Sequence, residues 1–214
     1  MSVDRVDVSS PVDLPSTRAV RAVVAVGARA AARNWVPATS GNFSVRIDEK
    51  RVAITATGTD KGALGEDDVL LVDPAGPAHP RASAESGLHF ALYRIRPEAG
   101  AVLHVHSQNA TLASLALAKN GRITLKGLEL LKAFTGIRTH EAEIDVPVYP
   151  NSQNITALAE RVAADLAIRS DVHGFLLKGH GLYAWGRTEA EAWRHLETFD
   201  YLFALQLELR RLKA

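Results

Sequence analysis

The stretch AVLHVHS, Ala101 to Ser107, ends an apolar run with two histidines one residue apart. Side chains at i and i+2 of a strand share a face, so His104 and His106 project together while Val105 enters the opposite layer. Two imidazoles need a shared partner where water is scarce, and a metal ion is such a partner. A third ligand has to come from elsewhere, and His180, between Gly179 and Gly181, is the candidate because flanking glycines let backbone approach closely. Three neutral imidazoles suit Zn²⁺ and leave positions open for a substrate, the arrangement of a catalytic zinc. The other histidines, His79, His89, His140, His173 and His195, lack such pairing and read as structural or surface residues.

The surrounding pattern is α/β. Upstream of the histidines, SAESGLHFALYRIRP from Ser83 places Leu88, Leu92 and Ile95 at helical spacing, and Pro97 closes the run. Earlier still, an Ala-rich helix capped at Ser16 or Thr17 runs to Trp35-Val-Pro37. The runs NFSVRI and RVAITAT then form a hairpin about Asp48-Glu-Lys50, and VLLVD is a third strand. Downstream, SQNATLASLALAKN is helical up to Gly121, KGLELLKAF is a short helix, AEIDVPVY is extended and NITALAERVAADLAI is helical. GFLLKGHGLYAWG is two strands broken at Gly179-His-Gly181. Thr188 and Glu191 form a capping box for a last helix striped by Trp193, Leu196, Phe199, Phe203 and Leu207. An early hairpin with later strands separated by helices favours a mainly antiparallel sheet in one domain over 1–214, with a flexible start over 1–15.

Composition narrows the partners. Twenty-five Lys and Arg against 24 Asp and Glu give a net charge of +1, without the basic footprint that nucleic acid needs. With no cysteine, any metal falls to His, Asp and Glu. No apolar run is long enough to span a bilayer and the N-terminus lacks a signal-peptide core, so a cytoplasmic location is expected.

Three loops are suited to an anion: TSGNFS at 39–44, TGTDKG at 57–62 and SAES at 83–86, the last opening a helix. Together with a metal they point to a phosphorylated substrate. Lys61, Lys126 and Arg187 are basic residues that could pair with it, none singled out. Two acids compete as proton carrier. Glu85 lies in a first helical turn, where the dipole stabilises a carboxylate, and Glu129 sits among Leu128, Leu130 and Leu131, where an apolar setting could raise its pKa.

In this order, SGNFSVR, TATGTDKG, SAESGLHFALYRIRPEAGAVLHVHS and KGHGLYAWG resemble the zinc-dependent class II aldolase and adducin family from about residue 17 onward. The resemblance implies a three-layer α/β/α fold around a mainly antiparallel sheet, assembled as a homotetramer with active sites between subunits. It implies zinc on His104, His106 and His180, and phosphate contacts at Asn42, Thr57, Gly58 and Ser83. Family aldolases commonly carry Ser-Ser-Glu where this chain has Ser83-Ala84-Glu85, so one phosphate hydroxyl is absent. KGLELLKAF and IDVPVYPNSQNITALAERV most resemble the family's dehydratases, which are expected to use the acid matching Glu129, whereas the aldolases use the one matching Glu85 as proton carrier and metal neighbour. The resemblance therefore implies dehydration of a phosphorylated ketose with Glu129 as principal acid/base and Glu85 as helper. The alternatives are a sugar-phosphate aldolase or epimerase, and a non-catalytic adducin-like interaction domain.

Overall fold

The structure, a computed structural model, describes residues 13–213. Most of the segment expected to be flexible, 1–12, lies outside the described residues. The first helix, α1 (Leu14–Ala32), starts two residues before the expected cap. Asp13 caps it instead, its carboxylate accepting from Ser16 Oγ at 2.7 Å and from Arg51 Nη1 at 2.7 Å, and Pro15 fits the first turn.

The strands β1 (Asn42–Arg46) and β2 (Val52–Thr55) form the expected hairpin, with Ser44 opposite Ile54, and β3 (Val69–Val72) pairs with β2. Helix α2 (Ser86–Ile95) begins three residues later than the sequence pattern suggested, because Ser83 and Glu85 form a turn ahead of it. Then come β4 (Ala101–Val105) and α3 (Gln108–Ala116). The second of these ends well short of Gly121; Lys119 and Arg122 close a tight turn, in which Asn120 and Gly121 have positive φ.

That turn opens β5 (Arg122–Lys126), a strand the sequence reading did not anticipate. KGLELLKAF is a five-residue 3₁₀ turn, Glu129–Ala133, rather than an α-helix. The remaining elements are β6 (Glu143–Tyr149), α4 (Ile155–Ala167), β7 (Gly174–Leu177), β8 (Gly181–Gly186) and α5 (Glu189–Arg211). Thr188 caps α5 by accepting from the Glu191 N–H at 3.1 Å. The Glu191 carboxylate does not close the expected box: it accepts from the Arg187 N–H at 2.7 Å and from the Thr135 hydroxyl.

The sheet order is β3-β2-β1-β4-β8-β7-β6-β5, antiparallel throughout except between β6 and β7. Both faces are covered, so its central strands bury every side chain. Ala101, Leu103 and Val105 of β4 pack with α1, α3 and α5 on one face, while Val102 shares the other with α2 and α4. Leu196, Phe199, Leu202 and Phe203 of α5 are at most 1% exposed, each contributing roughly 1.5–3 kcal/mol of apolar burial. The His-bearing end of β4 therefore sits mid-sheet, on a frame with little freedom to move. Among the described residues no helix is long and apolar enough to cross a membrane.

Candidate functional site

His104 is the last inward residue of β4 on the α2/α4 face and is fully buried. Its ring stacks on Tyr183 of the neighbouring β8 at 3.9 Å and 12°, and its Nδ1–H donates to the Leu182 carbonyl at 3.1 Å. That bond fixes the tautomer and leaves the lone pair on Nε2, facing out of the strand end. Two glycines make room for it. A Cβ on Gly181 would lie 2.2 Å from the Val105 carbonyl oxygen and 3.0 Å from His104 Cε1; one on Gly41, at φ +75°, would lie 2.8 Å from the His104 carbonyl oxygen.

His106 follows the strand, its N–H held by the Trp35 carbonyl at 2.8 Å. His180 comes from the β7–β8 turn, its Nδ1 3.3 Å from Asn151 Oδ1. The three rings converge: His106 Nε2 is 3.0 Å from both His104 Nε2 and His180 Nε2. Glu85 joins them, Oε2 lying 3.5 Å from His104 Nε2 and Oε1 3.2 Å from His180 Nε2. One ligand atom from each of these four residues falls within 4.8 Å of all the others.

The donors fit a divalent cation. Burial keeps His104 well below the ordinary imidazole value, and burial with His180 and Lys61 nearby pushes His106 down to about 4, so both are neutral lone-pair donors at pH 7. Neutral imidazole nitrogens 3.0 Å apart, with one carboxylate beside them, are the chemistry of a His₃ or His₃-carboxylate metal site. Strand period pointed to His104 and His106, flanking glycines to His180, and the family resemblance to Glu85 as a neighbour of the metal; Glu85 acts from the cap position of α2 rather than from its first turn.

Glu85 is held in place from behind. Asn42 Nδ2 donates to Glu85 Oε2 at 3.1 Å, and Asn42 Oδ1 accepts from His89 Nε2. His89 Nδ1 meets Ser44 Oγ at 2.8 Å, which meets Tyr93 OH at 2.9 Å. His89 is pushed down to about 3 by burial and so stays neutral. Read alone in the sequence, His89 gave no sign of this line of bonds.

Beside the cluster is a cavity of about 130 Å³ lined by Asn42, Thr57, Gly58 and Ser83, the four residues expected at a phosphate, together with Glu85 and His106. It is smaller than the ~300–1,000 Å³ of a site that encloses a whole organic ligand. Gly58 has φ +73° with open space where a Cβ would be.

Glu129 is not part of this constellation. Its turn packs on α5, on the face of the sheet opposite the one His104 enters, and Glu129 lines neither the donor cluster nor the cavity beside it. Its side chain is 70% exposed, paired with Lys132 and lying 3.7 Å from His140 Nδ1. The Lys132 hydrogen bond holds its carboxyl below the ordinary value, the reverse of the rise expected from its leucine neighbours. Leu131 enters the core, whereas Leu128, Glu129 and Leu130 line a separate groove of about 720 Å³ against Tyr201 and Leu205.

Residues 21–207 match the family described as class II aldolase and adducin N-terminal domain. A methylthioribulose-1-phosphate dehydratase of Parvibaculum lavamentivorans is 48% identical over 91% of this chain and 95% of its own length. One of Stenotrophomonas maltophilia is 55% identical over 83% and 84%. Among solved structures, L-fuculose-1-phosphate aldolase of Thermus thermophilus superposes with a TM-score of 0.75 at 30% identity, covering 92% of this chain and 98% of that one. Aligned along nearly its whole length, with its His and Glu donors gathered at one strand end, the chain belongs to the class II aldolase and adducin family.

Proposed function

We propose that this chain is a hydro-lyase that dehydrates 5-methylthioribulose 1-phosphate to 2,3-diketo-5-methylthiopentyl 1-phosphate, a step of L-methionine salvage, with one Zn²⁺ per subunit. The observation that carries it is that Glu85 and His106 belong both to the metal-ligand cluster and to the wall of the anion cavity, so one ligand can engage both at once. A ketose 1-phosphate has that form, with its carbonyl one carbon from the phosphate ester. Relatives 48% and 55% identical carry the name of this activity.

His104, His106, His180 and Glu85 would hold the ion. When bound, it supplies Lewis acidity to the substrate carbonyl. Asn42, Thr57, Gly58 and Ser83 hold the phosphate and so fix which carbons face the acid. Glu129 takes the C3 proton and returns it to the C4 hydroxyl, which leaves as water; the enol left behind tautomerises to the diketone. Glu85 assists from the metal side.

Within one subunit Glu129 lies outside both the donor cluster and the anion cavity, so the reading requires Glu129 of the partner subunit to complete each site. A homotetramer with sites between subunits meets that requirement. A charged phosphorylated substrate does not cross membranes, which supports work in the cytoplasm.

The test is turnover of methylthioribulose 1-phosphate with and without chelator. Chelator-sensitive water loss supports the reading, and triose phosphate release in place of water loss transfers the chain to the aldolases. Glu129→Gln should lose about a hundredfold to ten-thousandfold in kcat with metal retained. Mixing Glu129→Gln with His106→Ala under conditions that exchange subunits should restore activity. Full activity of Glu129→Gln, or no rescue on mixing, removes the partner's acid from the mechanism.

A further inference from the structure

Two groups in the anion cavity remain without a role. Ser40 lines it, and its Oγ is buried with no hydrogen-bond partner. Lys61 lines it as well and is only 2% exposed; its Nζ donates to the carbonyl oxygens of Thr39 at 3.0 Å and Thr59 at 2.7 Å. An ammonium has three protons to give, and these two neutral carbonyls take two. Asp60 and Asp68 act on it from beyond ion-pair distance, and burial pushes its pKa down.

A buried cation without a paired anion and a buried hydroxyl without an acceptor are each costly. Here they face one small space. The backbone around them is also constrained, since Ala38 at φ 52° and Thr39 at φ 64° are left-handed without being glycine. Lys61 bonds to the carbonyl of that same Thr39, so the conformation presenting Ser40 is tied to the ammonium. Lys61 is the one Lys or Arg on the cavity wall, and Glu85 is the one carboxylate, which a bound metal would neutralise.

We propose that Ser40 and Lys61 are binding residues for the phosphate dianion, the Ser40 hydroxyl supplying a hydrogen-bond donor and the Lys61 ammonium the charge. This rests on the reading above that the cavity takes the phosphate. Ser83 Oγ already accepts from the Glu85 N–H at 3.2 Å, leaving its own proton as the single hydroxyl donor from that loop. Ser40 adds a second hydroxyl from the opposite side of the cavity.

The experiment uses metal-loaded protein and inorganic phosphate, measured as a competitive inhibitor of turnover and by its effect on melting temperature. Ser40→Ala should raise the phosphate Ki and the substrate KM on the order of tenfold or more, as expected for a lost hydrogen bond to a charged group. Metal content should not change, and without phosphate the variant should melt at or above the wild-type temperature, because the hydroxyl removed had no partner. Lys61→Met should show the larger rise in Ki; where it does not fold, Ser40→Ala decides. A Ser40→Ala protein with wild-type Ki overturns the proposal. A wild-type protein that phosphate neither inhibits nor stabilises overturns the phosphate reading of the cavity, and this inference with it.

Discussion

Asn42 and Glu85, 43 residues apart in sequence, are joined by a 3.1 Å hydrogen bond from an amide that His89 orients on its other side. Such outer bonds aim the ligand and set its basicity. Asn42→Asp replaces the donor by a second carboxylate and should weaken metal affinity about 10- to 100-fold. Competition with a chromogenic chelator would measure it; unchanged affinity would show that Glu85 needs no support from Asn42.

Gly181 lets β8 run close to β4 where His104 ends the strand. Gly181→Ala places a methyl into the Val105 carbonyl, a clash with backbone that cannot swing away. Destabilisation of about 1–3 kcal/mol is expected, together with loss of bound metal. Urea unfolding and metal stoichiometry on the same sample read both.

Tyr183 is fully buried and its ring supports His104, yet its hydroxyl has no partner. Tyr183→Phe keeps the stack and removes that hydroxyl. Stability should stay level or rise by about 1 kcal/mol, with metal content unchanged. A clear loss of stability in thermal melts would mean the hydroxyl is satisfied in solution.

His173 packs against Phe134 and lies 4.6 Å, ring to ring, from His195. Burial pushes His173 down to about 4, against an unfolded value near 6.5, so between these the unfolded chain binds the extra proton. Stability therefore falls as pH drops from about 6.5 toward 4, by up to about 1.4 kcal/mol per pH unit from this residue, and none of it is lost above pH 7. His195, lowered mainly by burial, adds in the same direction. Denaturant midpoints at pH 7, 6 and 5 should decline, and His173→Gln should flatten the decline.

Much of this was legible in the chain because it is written in short-range patterns. His104 and His106 share a donor site because a strand has period two, though His106 lies just past the strand itself, and the glycines around His180 announced a close approach. What stayed hidden was long-range. No local pattern put Glu85 with the histidines, only the family resemblance did, and it reaches them from the cap position ahead of Ser86. The pairing of His89 with Asn42 spans 47 residues, and the expected rise in the Glu129 pKa failed because Lys132, one turn on, outweighs the leucines. Strand β5 was missed although RITLK alternates, since its inward residues number only Ile123 and Leu125. An α-helix was expected through the 3₁₀ turn because Leu128 and Leu131 recur at a spacing both helix types share.

The hairpin of β5 and β6, with the Glu129 turn between its strands, occupies one edge of the sheet and carries none of the four metal donors. The half that carries the four donors and the edge half are thus separable units for redesign. Substitutions along that edge can change the groups it presents without touching His104, His106, His180 or Glu85. Grafting a different edge onto residues 122–149 would leave the strand ends at His104 and His180 in place, as a fixed socket beneath an exchangeable rim.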